Sequence, residues 1–273
     1  MTERPQGRRQ LRDLLARHGH RPRTRLGQHF LADPNLVERI VRRAAVGPGD
    51  RVVEIGAGTG TLTRALAATG ATVVAYEIDR ALEPVLAETL AGSTAEVRFE
   101  DAAKTDLVAA LPGGPWALVA NLPYHVGTPL LLEILRHVPQ VTTMVVMVQR
   151  EVADRLTAAP GSRVYGLPSV VAQLHAAVRF EFPVAASVFV PEPAVASAVV
   201  SLTRVPAPAA AERAVELAAA AFNQRRKMLR RSMRGVLDEP DRVLQETGID
   251  PTARAEDLAP DDFVRIAAAG QGT

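Results

Sequence analysis

The chain predicts an α/β fold, in which a parallel sheet is covered by helices on both faces and followed by a small all-helical C-terminal domain. Three observations carry that reading. Short, wholly apolar strand patterns alternate with segments of helical spacing between Asp33 and Val148, as expected when strands are buried on both faces. The first of these strands runs straight into Gly56-Ala57-Gly58-Thr59-Gly60, a turn sharp enough to let a ligand approach the backbone. Beyond the linker Val205-Pro206-Ala207-Pro208 the strand patterns stop and helical ones take over.

In chain order, residues 1–25 read as a mobile basic arm, with Leu11, Leu14 and Leu15 forming one amphipathic turn. Leu36, Val37, Ile40, Val41 and Ala44 recur at helical spacing, and Gly47-Pro48-Gly49-Asp50 ends that helix. Strands are then predicted for residues 51–55, 71–76, 96–99, 116–120 and 142–148, with helices at 61–69, 80–90 and 129–137. Residues 177–182 and 197–203 read as two further strands, separated by the proline-rich link from Pro183 to Pro193 and finishing the sheet antiparallel. Residues 211–233 read as one long helix, followed by short helical patterns broken at Pro240, Gly248 and Pro251. The predicted organisation is an arm (1–25), a ligand-binding α/β domain (26–204) and a helical domain (205–273), with no internal repeats.

With 273 residues and 47% hydrophobic content, the chain can bury a large core. It contains no apolar run near the roughly eighteen residues that span a bilayer. The absence of cysteine excludes disulfides, iron–sulfur clusters and covalent thiolate attack on a pyrimidine. The expectation is a cytoplasmic monomer without a metal. Net charge is only +2, but eight Arg crowd residues 1–25, and Arg225, Arg226, Lys227, Arg230, Arg231 and Arg234 follow one another without an acid. Two such clusters on a near-neutral chain predict an anion-binding face.

The glycine turn has the spacing G-x-G-x-G and is preceded by Glu54, a version suited to S-adenosyl-L-methionine (SAM), which has no pyrophosphate to cradle. Glu77, at the end of the next strand, can accept from both ribose hydroxyls of an adenosine ligand; Asp79 competes for that role from a less favourable place. Asp101, with Ala102 beside it, can accept from the adenine amino group. Asn121-Leu122-Pro123-Tyr124 closes the strand that follows. There the Asn121 side-chain oxygen and the Leu122 carbonyl can each accept one N–H of an exocyclic amine, localising a lone pair that is otherwise delocalised into the ring. Pro123 stiffens the loop and Tyr124 can stack on the base. The pairing of the two motifs predicts methyl transfer to the exocyclic nitrogen of a nucleobase, driven by orientation and electrostatics. His125 reads as a loop histidine without a catalytic role, and Trp116 as core.

These residues resemble the rRNA adenine N6-dimethyltransferase family, most closely its small-subunit (16S) branch. The resemblance rests on Gly27-Gln28-His29-Phe30-Leu31 with Asp33, Glu54 to Thr63, Glu77-Ile78-Asp79, Asp101-Ala102, Asn121-Leu122-Pro123-Tyr124, Gln149 to Val152, Tyr165-Gly166, Ser187-Val188-Phe189 and Phe222 to Lys227. It covers roughly residues 25–235. It implies a seven-stranded Rossmann-like methyltransferase sheet with a helical domain that grips RNA. It also implies that His29, Leu31, Gly56, Gly58, Glu77, Asp101, Ala102 and Asn121 line the SAM site. His29 stands where the family usually has Asn. Arg225, Arg226, Lys227 and Arg230 become the expected contacts to 16S rRNA in the small subunit. The implied reaction is dimethylation of two adjacent adenines in the 3′-terminal hairpin during ribosome biogenesis. A large-subunit methylase of the macrolide-resistance type, a non-catalytic assembly factor and a DNA adenine methylase are the competing readings.

Overall fold

A computed structural model describes residues 7–124 and 126–270, so His125 and the first six residues of the basic segment lie outside the described residues. The chain divides into two compact units, Met1–Ala153 with Arg179–Thr203, and Asp154–Val178 with Arg204–Thr273. The expected boundary near residue 205 therefore needs correction: the segment from Asp154 to Val178 belongs to the second unit.

The elements in order are α1 (Arg8–Arg17), β1 (Phe30–Leu31), α2 (Pro34–Ala44), β2 (Arg51–Ile55), α3 (Thr61–Ala67), β3 (Thr72–Tyr76), α4 (Glu83–Thr89), β4 (Glu96–Arg98), α5 (Leu107–Ala110), β5 (Trp116–Asn121), α6 (Gly127–His137), β6 (Val141–Gln149), α7 (Arg150–Leu156), α8 (Leu167–His175), β7 (Ala176–Val184), β8 (Phe189–Val190), β9 (Ser197–Arg204), α9 (Ala211–Asn223), α10 (Leu229–Ser232), α11 (Pro240–Glu246) and α12 (Pro260–Ala269). Among the described residues the main sheet has seven strands in the order β4-β3-β2-β5-β6-β9-β7. β2 pairs in parallel with β3 and β5, and β5 with β6, while β9 returns antiparallel to β6. The α/β class and the antiparallel finish are as the sequence predicts. Parallel strands bring their carboxyl ends, and the loops that follow, to one edge of the sheet.

Elements also form where the sequence predicts none, namely β1, α5, α7, α8 and β8. Phe30 and Leu31 pair with Val190 and Phe189 across the two-stranded β1–β8 sheet, so part of the proline-rich link is itself a strand. The basic N-terminal segment is not a mobile arm over its described part. α1 buries Leu11, Leu14 and Leu15 in one apolar cluster with Phe30, Ala57, Leu82, Val85, Leu86 and Val190. The cations at its two ends are engaged by the protein. Arg8 donates to the carbonyls of Ser187 and Phe189 at 2.6 and 2.9 Å and to Glu192 at 2.7 Å. Arg17 and His18 both engage Glu88, the latter at 2.6 Å. α2 follows its sequence signals: Asp33 accepts from the backbone of Asn35 and Leu36 at 2.8 and 3.0 Å, and Pro34 opens the first turn, where a missing N–H costs nothing.

The second unit has its own core. α9 turns Ala214, Leu217, Ala218 and Ala221 inward, and Phe222 meets Tyr165 and Phe263 with ring centroids 5.9 and 6.2 Å apart. The buried Tyr165 hydroxyl donates to the Leu258 carbonyl at 2.9 Å. The long helix expected over residues 211–233 is broken. After Asn223 the chain turns through residues 224–228 before α10 begins.

If α1 is part of the fold, Leu14→Ala should cost about 2–5 kcal/mol, the range for removing a buried leucine side chain. Urea denaturation measures this, and an unchanged midpoint would mean that the segment is a dispensable arm.

Candidate functional site

The glycine turn is fastened from below. The backbone N–H groups of Gly56 and Ala57 both donate to the Tyr76 carbonyl, at 2.8 and 3.0 Å, tying the end of β2 to the end of β3. Gly56, Gly58 and Gly60 have φ of 84°, 57° and 80°, which other residues adopt only with strain. At Gly58 a Cβ would also stand 3.1 Å from the Phe30 ring, so the turn is shaped by backbone conformation and by the β1 segment packed on it.

Glu77 holds this turn from the side. Its carboxylate accepts from Gly58 N at 2.7 Å and from Asp79 N at 2.9 Å, using one oxygen for each. Burial pushes this carboxyl above its ordinary value, and the backbone N–H groups of Asp79, Gly58 and Ile78 pull against that shift. Each oxygen has a second lone pair, so the clamp leaves capacity for ligand hydroxyls. Asp79, the competing acid, is engaged elsewhere and does not line the cavity described below. It accepts from Arg23 and Gln28 at 2.7 Å each and from Ala81 N at 3.1 Å. Asp101 accepts from Ala103 N at 3.1 Å and lies 3.6 Å from the Lys104 ammonium.

Asn121 ends β5, in register with Met147 of β6. Its Nδ2 donates to the His29 carbonyl at 3.1 Å. A carbonyl can only accept, which settles which way the amide faces. The opposite atom, Oδ1, is buried and has no hydrogen-bond partner among the described residues. A buried orphan acceptor is costly, and Asn121 lines the cavity described below. The loop that follows is held at several points. Leu122 N donates to the Met147 carbonyl at 3.1 Å, and the Pro123 carbonyl accepts from Gly127 N at 2.7 Å. A Cβ at Gly127 would stand 2.7 Å from Leu122 Cβ, so glycine is needed for the loop to close. The Tyr124 hydroxyl sits 2.5 Å from Ser197 Oγ, and burial pushes its ionisation upward against that hydrogen bond.

These groups surround a cavity of about 230 Å³. His29, Leu31, Gly56, Gly58, Glu77, Asp101, Ala102, Asn121, Leu122, Pro123 and Tyr124 all line it, so the structure gathers every predicted cofactor and catalytic position in one place. Sequence reasoning missed Ile78, which lines the same cavity and is 53% exposed. An apolar side chain left open at a cavity wall suits a flat ring, but a residue just past a strand end gives no periodic signal. It also missed Arg25, Gln28 and Phe30, which reach the wall from the N-terminal segment. The predicted RNA-contacting residues belong to the second unit and are placed differently from expectation. Arg225, Arg226 and Lys227 lie on the turn after α9, not on a helix. Arg225 is committed to Glu256 at 2.7 Å and to the Arg163 carbonyl at 2.9 Å. Arg226 and Lys227 are exposed.

Glu54, beneath the glycine turn, is 1% exposed and one of its oxygens has no hydrogen-bond partner among the described residues. Burial pushes its carboxyl from 4.5 up to about 8, and the nearby Glu77 charge acts in the same direction. The unfolded chain ionises this group near 4.5 and the native protein only near 8. Its contribution to stability is therefore full below the lower value and is lost as pH rises through the upper one. Glu54→Gln should leave stability nearly unchanged at about pH 4.5 and raise it by on the order of 3 kcal/mol at about pH 8.5. Denaturant melts at both values test this, and an equal difference at the two would refute it.

Comparison with known proteins agrees with this geometry. The family of ribosomal RNA adenine dimethylases matches residues 19–271. The chain is 47% identical to the ribosomal RNA small subunit methyltransferase A of Kineococcus radiotolerans, over 95% of this chain and 90% of that protein. It is 44% identical to the protein of the same name from Phenylobacterium zucineum, over 94% and 91%. Among solved structures it resembles a dimethyladenosine transferase from Plasmodium falciparum, with a TM-score of 0.75 and 25% identity over 87% of this chain and 96% of that one. The 23S rRNA methyltransferase ErmE follows at 0.68 and 27%, over 89% and 99%. With the family matched along nearly its whole length, and an orphan amide oxygen set beside a glycine turn at the sheet's carboxyl edge, this chain belongs to the ribosomal RNA adenine dimethylases.

Proposed function

We propose that this protein uses SAM to dimethylate the N6 amino groups of two adjacent adenines in the 3′-terminal hairpin of small-subunit rRNA. The observation that carries the reading is the Asn121 amide, its NH2 group spent on the His29 carbonyl and its oxygen left without a protein partner. That oxygen is an acceptor waiting for an N–H. The small-subunit assignment is supported by the names of relatives 42–47% identical to this chain. The resemblance to ErmE is more distant at 27% identity, which favours the small-subunit reading over the large-subunit one. An assembly factor that does not methylate would have no need of an unsatisfied acceptor at that place. The protein would act as a monomer, in the cytoplasm where ribosomes assemble.

The residues present fit SAM. Glu77 has lone pairs to spare for ribose hydroxyls, Ile78 offers an open apolar wall, and Asp101 with Ala102 stands beside it for the adenine edge. Bound there, SAM supplies an electrophilic methyl group. Asn121 Oδ1 and the Leu122 carbonyl accept the amine N–H bonds of the target base and turn its lone pair toward the acceptor carbon. Tyr124 gives the base a platform. The nitrogen becomes acidic only as it is alkylated, so its proton leaves to solvent without a dedicated base. Orientation and fixed dipoles supply the rate.

Asn121→Ala should lower turnover by about 100- to 1,000-fold, the effect of losing one oriented polar group at a reacting centre. SAM affinity should change little. Labelled-methyl transfer to small subunits lacking adenine dimethylation, with modified positions mapped by reverse-transcription stops, tests this together with equilibrium SAM binding. Near-normal transfer by the variant would remove Asn121 from the mechanism.

Charge reversal at Arg226 and Lys227 should weaken subunit binding and flatten its salt dependence by about one unit of logarithmic slope per lost phosphate contact. SAM affinity should be spared. Because Arg225 is paired with Glu256, its reversal should also lower the melting temperature of the protein, which the Arg226 change should not. Binding titrations across a salt series and thermal melts separate the two effects.

A further inference from the structure

We infer that the imidazole of His29 is a positioning residue for Tyr124, serving the target base and not the cofactor. The inference rests on the reading of the Asn121–Tyr124 loop as the base-methylating site. The resembled family usually carries Asn at this position, where the side chain is expected to face SAM. Here the ring is turned to other work. His29 Nδ1 stands 2.9 Å from the Pro191 carbonyl oxygen, and since a carbonyl can only accept, Nδ1 carries the proton. The imidazole is thereby pinned to the segment just after β8. In that orientation its plane lies 26° from the Tyr124 ring, with centroids 5.5 Å apart, inside the range of a favourable offset stack.

Tyr124 is held at two places by these contacts. The imidazole covers one face and Ser197 Oγ fixes the hydroxyl. A phenol ring so restrained has one face left for a planar partner. Its orientation is set before that partner arrives, which lowers the ordering cost of binding. The backbone of the same residue has a separate duty, since the His29 carbonyl turns the Asn121 amide. That duty does not depend on the side chain, so substitution at His29 tests the ring alone. Asparagine could still donate to the Pro191 carbonyl but has no ring to stack. Phenylalanine keeps the ring and loses the hydrogen bond. The two variants divide the two contacts cleanly.

The experiment measures His29→Asn, His29→Phe, Tyr124→Ala and the double variant His29→Asn/Tyr124→Ala. The first readout needs no activity. Aromatic NMR of the three tyrosines, with Tyr124 assigned by its loss in Tyr124→Phe, should show a ring-current shift that His29→Phe retains and His29→Asn abolishes. The second is single-turnover transfer to undimethylated small subunits. His29→Asn should be slower by about tenfold, the scale of one aromatic pair, and His29→Phe within about threefold of wild type. SAM affinity should stay within about twofold for both. On the Tyr124→Ala background His29→Asn should cost nothing further, because the pair acts as a unit. Tenfold weaker SAM binding with unchanged turnover, full additivity in the double variant, or an unaltered Tyr124 shift in His29→Asn would each overturn the inference. If the wild-type protein transfers no methyl to small subunits, the proposed function falls, and the NMR comparison still decides whether His29 positions Tyr124.

Discussion

Asp79 is 2% exposed, yet it accepts from the Arg23 guanidinium, the Gln28 amide and the Ala81 backbone. A carboxylate so deeply buried is tolerated only with partners of this number and quality. Its two side-chain donors, Arg23 and Gln28, come from the chain that precedes β1, so satisfying Asp79 requires that segment to lie across the carboxyl edge of the sheet. Gln28 is fixed in turn by accepting from Arg23 N at 2.8 Å, which places the next residue, His29, with its carbonyl on the Asn121 amide. The Asn121 amide is thus oriented through a chain of hydrogen bonds that begins at Asp79. Removing one member would leave buried polar groups unpaired, so the chain is cooperative in the sense that partial satisfaction is worse than none.

The acids along this edge look alike in sequence and differ in physical state. Asp79 holds two donors on Oδ1 and the Gln28 amide on Oδ2, and it is not among the residues that line the cavity. Glu77 uses one backbone donor per oxygen and keeps capacity on both. Glu54 lies deepest and retains an unpartnered oxygen, so burial holds it protonated near neutrality. Depth and donor count, not residue type, separate a hub, a carboxylate with open acceptor capacity and a neutral wall. Glu54, Glu77, Glu100 and Asp101 all line the cavity, and keeping Glu54 neutral reduces the negative field that an RNA phosphate would meet there.

The sheet and most of the site were legible because both follow from local rules. Buried parallel strands are short apolar runs, and the residues just past their ends must point to a common edge. Glu77, Asp101 and Asn121 were therefore found by their position relative to strands. What escaped depends on contacts distant in sequence. α1 has three leucines among arginines, and only the partners of Leu11, Leu14 and Leu15 in the cluster around Phe30 and Leu86 make it a buried helix. β1 and β8 are two residues each, too short for any period to show. The break after Asn223 falls in a segment of good helix formers. There Arg225 is drawn to Glu256 and the Arg163 carbonyl, and tertiary pairing overrides propensity. The domain boundary was misplaced for a related reason: residues 154–178 precede β9 in sequence but pack with the helices that follow it.

Two methyl transfers to one nitrogen place a limit on how the amine can be held. An unmodified adenine amine offers two N–H groups, and the monomethylated amine offers one. A loop that depended on two acceptors would lose half its grip after the first transfer. On the proposed reading Asn121 Oδ1, fixed in direction by the bond from its own Nδ2 to the His29 carbonyl, serves both rounds without rearrangement. The Leu122 carbonyl is then needed only in the first. Leu122 itself cannot retreat to admit the added methyl, since its backbone N–H is bound to Met147 and its Cβ lies against the space that Gly127 leaves open. Room for the methyl must come from the side of Tyr124 and His29. On the proposed reading, the ring pair that presents the base therefore also sets how much substitution its nitrogen can carry.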